Sequence, residues 1–472
     1  MPAKYHIKTR PVPPRGPRIG KHGVVDWRED CARCHNCVKK ACVYDRYRQE
    51  ADYIRSLTQV EALFFECMGC FSCVQDCTKG LLRLAINPVY ESLGNSYWKP
   101  DIIKTTWLQA ETAKIPVSGA GYRGPFTGPG FDSMWTDMSE IVRPTRDGIH
   151  GREYISTSVD IGRKLPYLAW QEGGLAAKLP PLVSIPMPLI FDLSSRAHTL
   201  PQLEAVLEQT AAATDLIAIM DARYQVTSQK NLRHIAFYVA ADSPLPPADV
   251  LRQTRLVEIA DGADVAARLE AIKAIHPGIV IAIRIELTAQ GVERALELAA
   301  LPGVEVLHLV ADANGNELGV HGGQAEPASP RFIKDLLRQI HTTLIEQGTR
   351  DEITLMAGGG IALPEHLAKA IICGADVVTI NLPLLIALEC HLCESCKPGQ
   401  PCPARLESVD RNFAVGRMTN LIAAWHDQLI EVMGAMGMRE ARRLRGDVGR
   451  AMFFEQLEEE TFGKLYGRRK TT

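Results

Sequence analysis

Beyond Pro180 the chain repeats one pattern: a short apolar, β-branched run, then a stretch with helical spacing, then another run. The runs are "LVSIPMPLI" (182–190), "DLIAIMDA" (215–222), "HIAFYVAA" (234–241) and "TRLVEIAD" (254–261), followed by "IVIAIRIEL" (279–287), "VEVLHLVAD" (304–312), "ITLMAGGG" (353–360) and "VVTINLP" (377–383). Between most of them lie helical segments such as "LPQLEAVLEQTAAAT", "DVAARLEAIKAI" and "PRFIKDLLRQIHTTLIEQ". Buried parallel strands read as short continuous apolar runs, and helices return the chain between them. The pattern therefore predicts an α/β fold, a (β/α)8 TIM barrel, with an open doubly wound sheet as the alternative. Upstream, residues 95–180 are rich in Gly, Pro, Trp and Tyr and predict a linker with one short helix near Ile102–Ala113. A further helix is expected within "DRYRQEADYIRSLTQVEALF".

At 472 residues the chain exceeds one ordinary core, so two or three domains are expected. Hydrophobic content of 46% and charged content of 23% describe an ordered globular protein. The net charge of −2 gives no bulk drive toward nucleic acid or anionic lipid. Lys4, Lys8, Arg10, Arg15, Arg18 and Lys21 make the start basic, but Pro and Gly interrupt it, so it reads as a solvated arm, or else an anchor onto a partner subunit, and not a secretory signal. No apolar run reaches the length of a membrane span, and a cytoplasmic location is expected.

Cysteine changes the picture. Twelve of the 13 cysteines fall in three tight groups inside a large chain, which favours metal ligation over disulfides. Cys31, Cys34 and Cys37 form C-x2-C-x2-C, with Cys42 after four residues. Cys67, Cys70 and Cys73 repeat the triplet, with Cys77 after three. Such a triplet offers three thiolates to one iron–sulfide cube, and in two-cluster ferredoxins the fourth comes from the partner motif. The stretch resembles a bacterial-type two-[4Fe–4S] ferredoxin module. The resemblance implies that Cys31, Cys34, Cys37 and Cys77 hold one cluster and Cys67, Cys70, Cys73 and Cys42 the other. Neither fourth cysteine is followed by proline, and the loop between the motifs is long. The competing reading, two zinc sites, suits separated pairs better than triplets. The third group, Cys390, Cys393, Cys396 and Cys402, supplies four more thiols directly after the last strand. Cys373, in "AIICGAD", reads as core.

Two other motifs bear on cofactors. "GAGYRG" (119–124) matches G-x-G-x-x-G, but no strand precedes it and Pro125 follows, so it is rejected as a nucleotide site. Arg143, Arg146, His150 and Arg152 crowd a loop-like stretch that reads as an interdomain strap or as a contact to an anionic cofactor or substrate. In the barrel, the seventh run ends in Gly358, Gly359 and Gly360, and the eighth runs into Asn381. Barrels bind phosphate groups after these two strands, so these residues are the expected contacts of FMN.

The stretch "AGGGIALPEHLAKAIICGADVVTINLPLLIALEC" (357–390), continued through the cysteine group and "GRMTNLIAAWHDQLIEVMGAMGMREARRLRG" (416–446), resembles the FMN-domain end of glutamate synthase. The nearer kin are glutamate synthase-related proteins with an N-terminal ferredoxin module. The resemblance implies FMN and a neighbouring [3Fe–4S] cluster held by three cysteines. Here Cys390, Cys396 and Cys402 nearly match that spacing, and the extra Cys393 predicts a third [4Fe–4S] cluster instead. A Lys- and Gly-rich family signature has no counterpart in "FYVAADSPLPP" (237–247), and no N-terminal glutaminase domain is expected. Arg284 shares a strand face with Ala282 and Glu286 and is expected near the flavin, or else paired with Glu286. His308 reads as a core histidine or a proton donor; Asp312, Asn314 and His321 line a long loop; no residue is assigned a catalytic role.

The expected plan is a ferredoxin-like domain (1–94), a linker (95–180), the barrel (181–389), a third cluster motif (390–403) and a helical extension (404–472). The function expected is an iron–sulfur flavoprotein oxidoreductase that passes electrons through its clusters to FMN, with an imine or 2-oxo acid as substrate. The rival is an electron-transfer subunit of a larger redox complex. Either implies a redox partner, a ferredoxin or another subunit, and an oligomer or complex.

Overall fold

The computed structural model describes residues 5–16, 18–24, 43, 70–77, 80, 84–115, 126–136, 154–171, 173–175, 179–194, 200–319, 330–393, 402–463 and 465. The chain divides into two units. The smaller comprises residues 13–104 and 391–395, the larger residues 1–12, 105–390 and 396–472. "GAGYRG", the basic strap residues Arg143, Arg146, His150 and Arg152, and the expected helix between the N-terminal cysteine groups lie outside the described residues.

The larger unit contains a closed, all-parallel eight-stranded barrel. Its strands are β1 (Leu189–Asp192), β2 (Ile217–Asp221), β3 (Ile235–Val239), β4 (Leu256–Ala260), β5 (Val280–Glu286), β6 (Val306–Val310), β7 (Thr354–Gly358) and β8 (Val377–Ile380). β8 pairs with β1, so the ring closes and the open doubly wound sheet is ruled out. The return helices are α1 (Gln202–Thr214), α2 (Ala248–Leu251), α3 (Val265–Ile275), α4 (Gly291–Ala299), α5 (Ile333–Glu346), α6 (Pro364–Ile372) and α7 (Leu382–Ala387). Between β2 and β3 a 3-10 turn, Gln229–His234, takes the place of a helix.

One carboxylate organises that irregular connection. Glu208 on α1 is fully buried and accepts hydrogen bonds from the Tyr224 hydroxyl, the Thr227 amide and hydroxyl, the Ser228 amide and the Asn231 side chain. A buried carboxylate with that many donors is fully satisfied and fixes the loop to the helix.

The first apolar run divides differently from its sequence reading. Val183–Ile185 is not barrel strand; it pairs antiparallel with Val159–Ile161, and the barrel begins only at Leu189. Pro186 and Pro188 lack amide donors, which separates the two pieces. This small sheet lies at the N-terminal end of the barrel, where the Thr354 hydroxyl donates to the Gly162 carbonyl and accepts from the Gly162 amide.

The helical extension is real: α8 (Arg411–Ala435) starts on an Asp410 cap, whose side chain accepts from the Phe413 amide, and packs on α1 and α6. The N-terminal arm is not simply solvated. Asn420 of α8 donates to the Arg10 carbonyl, Arg417 to the Val12 carbonyl, and the Tyr5 hydroxyl to the Thr214 carbonyl. Its Lys8 and Arg10 stay exposed, but its backbone carbonyls satisfy donors that α8 would otherwise bury unpaired. In the smaller unit, His22–Val24 pairs antiparallel with Leu84–Ile86, enclosing both N-terminal cysteine groups in sequence. No helix among the described residues is long and apolar enough to cross a membrane.

Two buried histidines make the larger unit sensitive to acid. His341 accepts from Arg350 Nε and is closed in by Gly374 and Gly446; His426 meets Thr157 and the Tyr5 ring. Burial, with nearby cations, lowers both from the ordinary 6.5 to about 4. The unfolded chain then binds more protons between those values, so this stability is complete above 6.5 and is lost as pH falls toward 4. Each histidine contributes a slope of about 1.4 kcal/mol per pH unit near pH 5. Denaturant titrations from pH 7 to pH 5 are expected to show this loss, with His426→Gln reducing the slope by about one proton.

Candidate functional site: the barrel interior and the cysteine motifs

Strand register sets which side chains enter the barrel. Tyr238 pairs with Glu258, Glu258 with Ala282, Arg284 with His308 and Gly358 with Thr379, so these positions share the inner face. Side chains on alternate strands meet at one level in such barrels. Arg284 is the centre of the group. It donates to Asp192 at 2.7 Å, to Glu258 at 2.8 Å and to the Ser194 hydroxyl at 2.9 Å. Its guanidinium also stacks 4.2 Å from the centre of the Tyr238 ring. The expected pairing with Glu286 does not form, since Glu258 on neighbouring β4 and Asp192 on β1 are nearer and more deeply buried.

A second arm of the network runs through β4, β6 and β8. Glu258 bonds His308 Nδ1, and His308 Nε2 lies 2.9 Å from the Thr379 hydroxyl. His308 therefore faces inward and is fully buried. Burial works to raise Asp192 and Glu258, but Arg284 first and then His308 overcome it, leaving both below the ordinary carboxylate range. Glu258 is then an acceptor only, so His308 carries its proton on Nδ1. Gly358 leaves the space this arm needs: a Cβ there would lie 2.3 Å from Thr379 Oγ1 and 3.2 Å from His308 Nε2.

Gly359 and Gly360 follow with φ of 103° and 67°. Side chains there would strike the Asp312 carbonyl and Gly315 Cα, so glycine is required by the approach of the loop after β6. Asp312 accepts from the Asn314 and Asn316 amides and shapes that loop; His321 lies outside the described residues. Asn381 caps α7, its side chain accepting from the Leu382 amide at 2.5 Å.

Sequence reasoning singled out Arg284 and His308 but missed Asp192, Ser194, Tyr238, Glu258 and Thr379. The available signal was a lone acid inside an apolar strand, "LVEIA", and an acid at the end of another, "LIFD".

Of the twelve predicted cluster ligands, Cys31, Cys34, Cys37, Cys42, Cys67 and Cys396 lie outside the described residues. Cys70 and Cys77 flank the short helix Ser72–Gln75 and Cys73 lies within it; the three are exposed, half-buried and buried respectively. Phe71, between Cys70 and Cys73, has φ of 65°; Leu392, between Cys390 and Cys393, has φ of 50°. Both Cys-x2-Cys pairs thus contain a left-handed residue that turns the chain sharply between its thiols. Hydrogen bonding with Ser72, side chain first, holds the Cys70 thiol below its ordinary value. Cys390 is buried, Cys393 exposed and Cys402 half-buried. Cys373, wholly buried after α6, is pushed up to about 12 by burial and is core, as expected.

With this geometry in place, comparison with known proteins is informative. Residues 233–439 match the family described as the conserved region in glutamate synthase. The chain is thus similar to the conserved region of glutamate synthase over that stretch. The match runs from β3 through α8 and includes Glu258, Arg284, His308, the three glycines and the third cysteine group. An archaeal-type glutamate synthase (NADPH) of Dehalococcoides mccartyi is 26% identical over 90% of this chain and 93% of its own length. An archaeal glutamate synthase (NADPH) of Archaeoglobus fulgidus is 22% identical over 90% of this chain and 92% of its own. Among solved structures, a mutant flavocytochrome b2 with pyruvate bound covers 79% of this chain and 89% of its own, at 13% identity and a TM-score of 0.41, too loose to carry an argument.

Within the matched region, Arg284 balances two buried acids. Replacing it with methionine, Arg284→Met, leaves Asp192 and Glu258 buried without their cation and is expected to cost about 3–5 kcal/mol in denaturant unfolding. Adding Glu258→Gln to that variant is expected to recover part of the loss.

Proposed function

We propose that this chain is an iron–sulfur flavoprotein oxidoreductase in which [4Fe–4S] clusters on the cysteine groups deliver electrons to FMN in the barrel mouth. The observation that carries this reading is Arg284. Among the described residues its Nε is buried and has no hydrogen-bond acceptor, while its other nitrogens are committed to Asp192, Glu258 and Ser194. A buried, unpaired donor at the inner face of a barrel suits a ligand rich in acceptors, and the pyrimidine edge of a flavin is one. Gly358, Gly359, Gly360 and Asn381 are the residues proposed to take the phosphate end. Their position after β7 and β8 is the usual place for it in barrels, and the relatives are glutamate synthases.

FMN, when bound, can collect electrons one at a time and release them as a pair. The chain's own residues supply the rest. Arg284 presents positive charge inside the barrel, while Asp192 and Glu258 fix the guanidinium in one orientation. His308, oriented by Glu258, holds a proton at Nδ1 and offers Nε2 to Thr379, forming a short relay between strands. The proposed acceptor is an imine or a 2-oxo acid, with glutamate formation as the first reaction to try. For the clusters, the donor set is twelve thiols in triplet and quartet spacing, and the left-handed turns at Phe71 and Leu392 suit thiols that converge on one centre.

A second reading keeps the cofactors but not the substrate chemistry, making the chain an electron-transfer subunit of a redox complex. It is favoured by the loop after β3. There the stretch 237–247 has no lysine or glycine, and Arg268 of α3 pins the loop by donating to the Ala240 and Ser243 carbonyls.

The deciding measurement is iron and flavin content per chain after anaerobic purification. About twelve irons and one FMN are expected, with Cys70→Ser losing about four irons and keeping the flavin. Iron without flavin would sink the enzyme reading and leave the electron relay. Zinc in place of iron would sink both. With flavin present, turnover of 2-oxoglutarate and ammonia separates the two readings.

A further inference from the structure

We propose, resting on the flavin reading above, that Glu258 is a positioning residue for electron transfer: acting through Arg284, it holds the flavin's reduction potential down. A lone guanidinium inside a barrel would favour any anion beside it, a reduced flavin included. Arg284 is not alone. A single nitrogen, Nη2, donates to Asp192 at 2.7 Å and to Glu258 at 2.8 Å. Asp192, which also accepts from the Ser194 amide and hydroxyl, by itself balances the guanidinium. Glu258 is a second acid, fully buried in the middle of apolar β4. Burial works against both charges, but Arg284 overcomes it and both acids are ionised. His308, with Nδ1 turned to Glu258 and Nε2 accepting from the Thr379 hydroxyl, adds no charge. One positive and two negative charges leave the group at −1. A structural ion pair needs one acid for one cation; a further buried acid adds desolvation cost with no cation left to offset it. Unbalanced buried charge of this kind marks a site where charge has a use.

The surroundings do not restore the balance. Arginines close to these strand ends, Arg223, Arg268 and Arg294, are themselves paired with Asp221, Asp264 and Asp261. Glu286, exposed at the end of β5, adds another acid. The Tyr238 hydroxyl reports how the group receives one more anion. Its ring lies 4.2 Å from the guanidinium, yet the hydroxyl is held above its ordinary value, by burial first; Arg284 opposes the shift, and Glu258, Glu286 and Asp192 add to it. Electrons entering such a site need a strongly reducing donor, the class to which low-potential iron–sulfur clusters belong.

The test is the reduction potential of bound FMN in the full chain, purified anaerobically. Measured against free FMN, it gives the ratio of affinities for the reduced and the oxidised flavin. Glu258→Gln keeps the shape and removes the charge. It is expected to shift that ratio toward reduced FMN by about tenfold or more, a rise of about 30 mV for a two-electron couple. Asp192→Asn removes the same charge from β1 and is expected to shift the ratio in the same direction, so the outcome does not depend on one variant folding. A merely structural Glu258 would weaken both forms of the flavin alike and leave the ratio where it was. An unchanged ratio in variants that keep FMN overturns the proposal, as does a fall in potential. Loss of FMN in both redox states from both variants likewise assigns the acids to structure alone and overturns it. An unchanged chain that purifies without FMN is a separate result: it sinks the flavin reading itself, and the proposal with it.

Discussion

The ion cluster around Arg284 is the constraint to which the barrel interior is built. A closed parallel barrel normally fills its centre with branched apolar side chains. Here the lower levels follow that rule, with Val280, Val306 and Val377 on the inner face, and the upper level is polar. Two buried carboxylates, one guanidinium, one imidazole and two hydroxyls satisfy one another across five strands and the segment after β1. Each member would be costly alone, because a buried charge without its partner carries the full desolvation penalty. Together they set the rotamers at the level where a ligand would enter, and the narrowness of Gly358 follows from the room the His308–Thr379 contact takes.

The same economy of space governs the strand ends. Gly359 and Gly360 bring the turn after β7 against the loop after β6, and Gly315 on that loop accepts the Phe332 ring where a Cβ would clash. The two loops are thereby packed against each other. At the opposite end of the barrel, Arg350, Arg445 and Asp376 form a second buried ion group, with Arg350 also reaching the Ile353 and Gly374 carbonyls. It ties the segment after α8 to the floor of the barrel. The floor is thus secured by charge pairs internal to the protein, whereas the mouth retains a donor, Arg284 Nε, that nothing described satisfies. Asymmetry of this sort between a closed end and an incomplete end is what a binding barrel needs, since rigidity at the floor limits how far the mouth can relax around a ligand.

The cysteine motifs show a different relation between chain and chemistry. Their spacing alone indicated metal ligation, because thiols two residues apart can face one centre. What spacing does not reveal is how the backbone achieves the turn. Phe71 and Leu392 adopt left-handed dihedrals that non-glycine residues rarely take, and each lies inside a Cys-x2-Cys pair. The side chains are ordinary, so no residue type marked those positions in advance.

Seven of the eight barrel strands could be placed from apolar runs, because burial on both faces leaves a local compositional trace. The eighth was misplaced: "LVSIPMPLI" is apolar throughout although its first half belongs to the small sheet, and hydrophobicity cannot distinguish two kinds of buried strand. The N-terminal arm looked solvated because its charges are exposed, while its anchoring is through backbone carbonyls that every residue possesses. Arg284 was recognisable as an inward cation from strand parity, yet its partners were not. Asp192 and Glu258 lie 92 and 26 residues away, and only closure of the ring brings them within hydrogen-bond reach. Local pattern determined the barrel class, the grouping of the cysteines and the glycine-rich strand end, since each depends on neighbours in sequence. The pairing of charges inside the barrel was decided by tertiary structure alone, because long-range electrostatic complementarity leaves no periodic signal along a single chain.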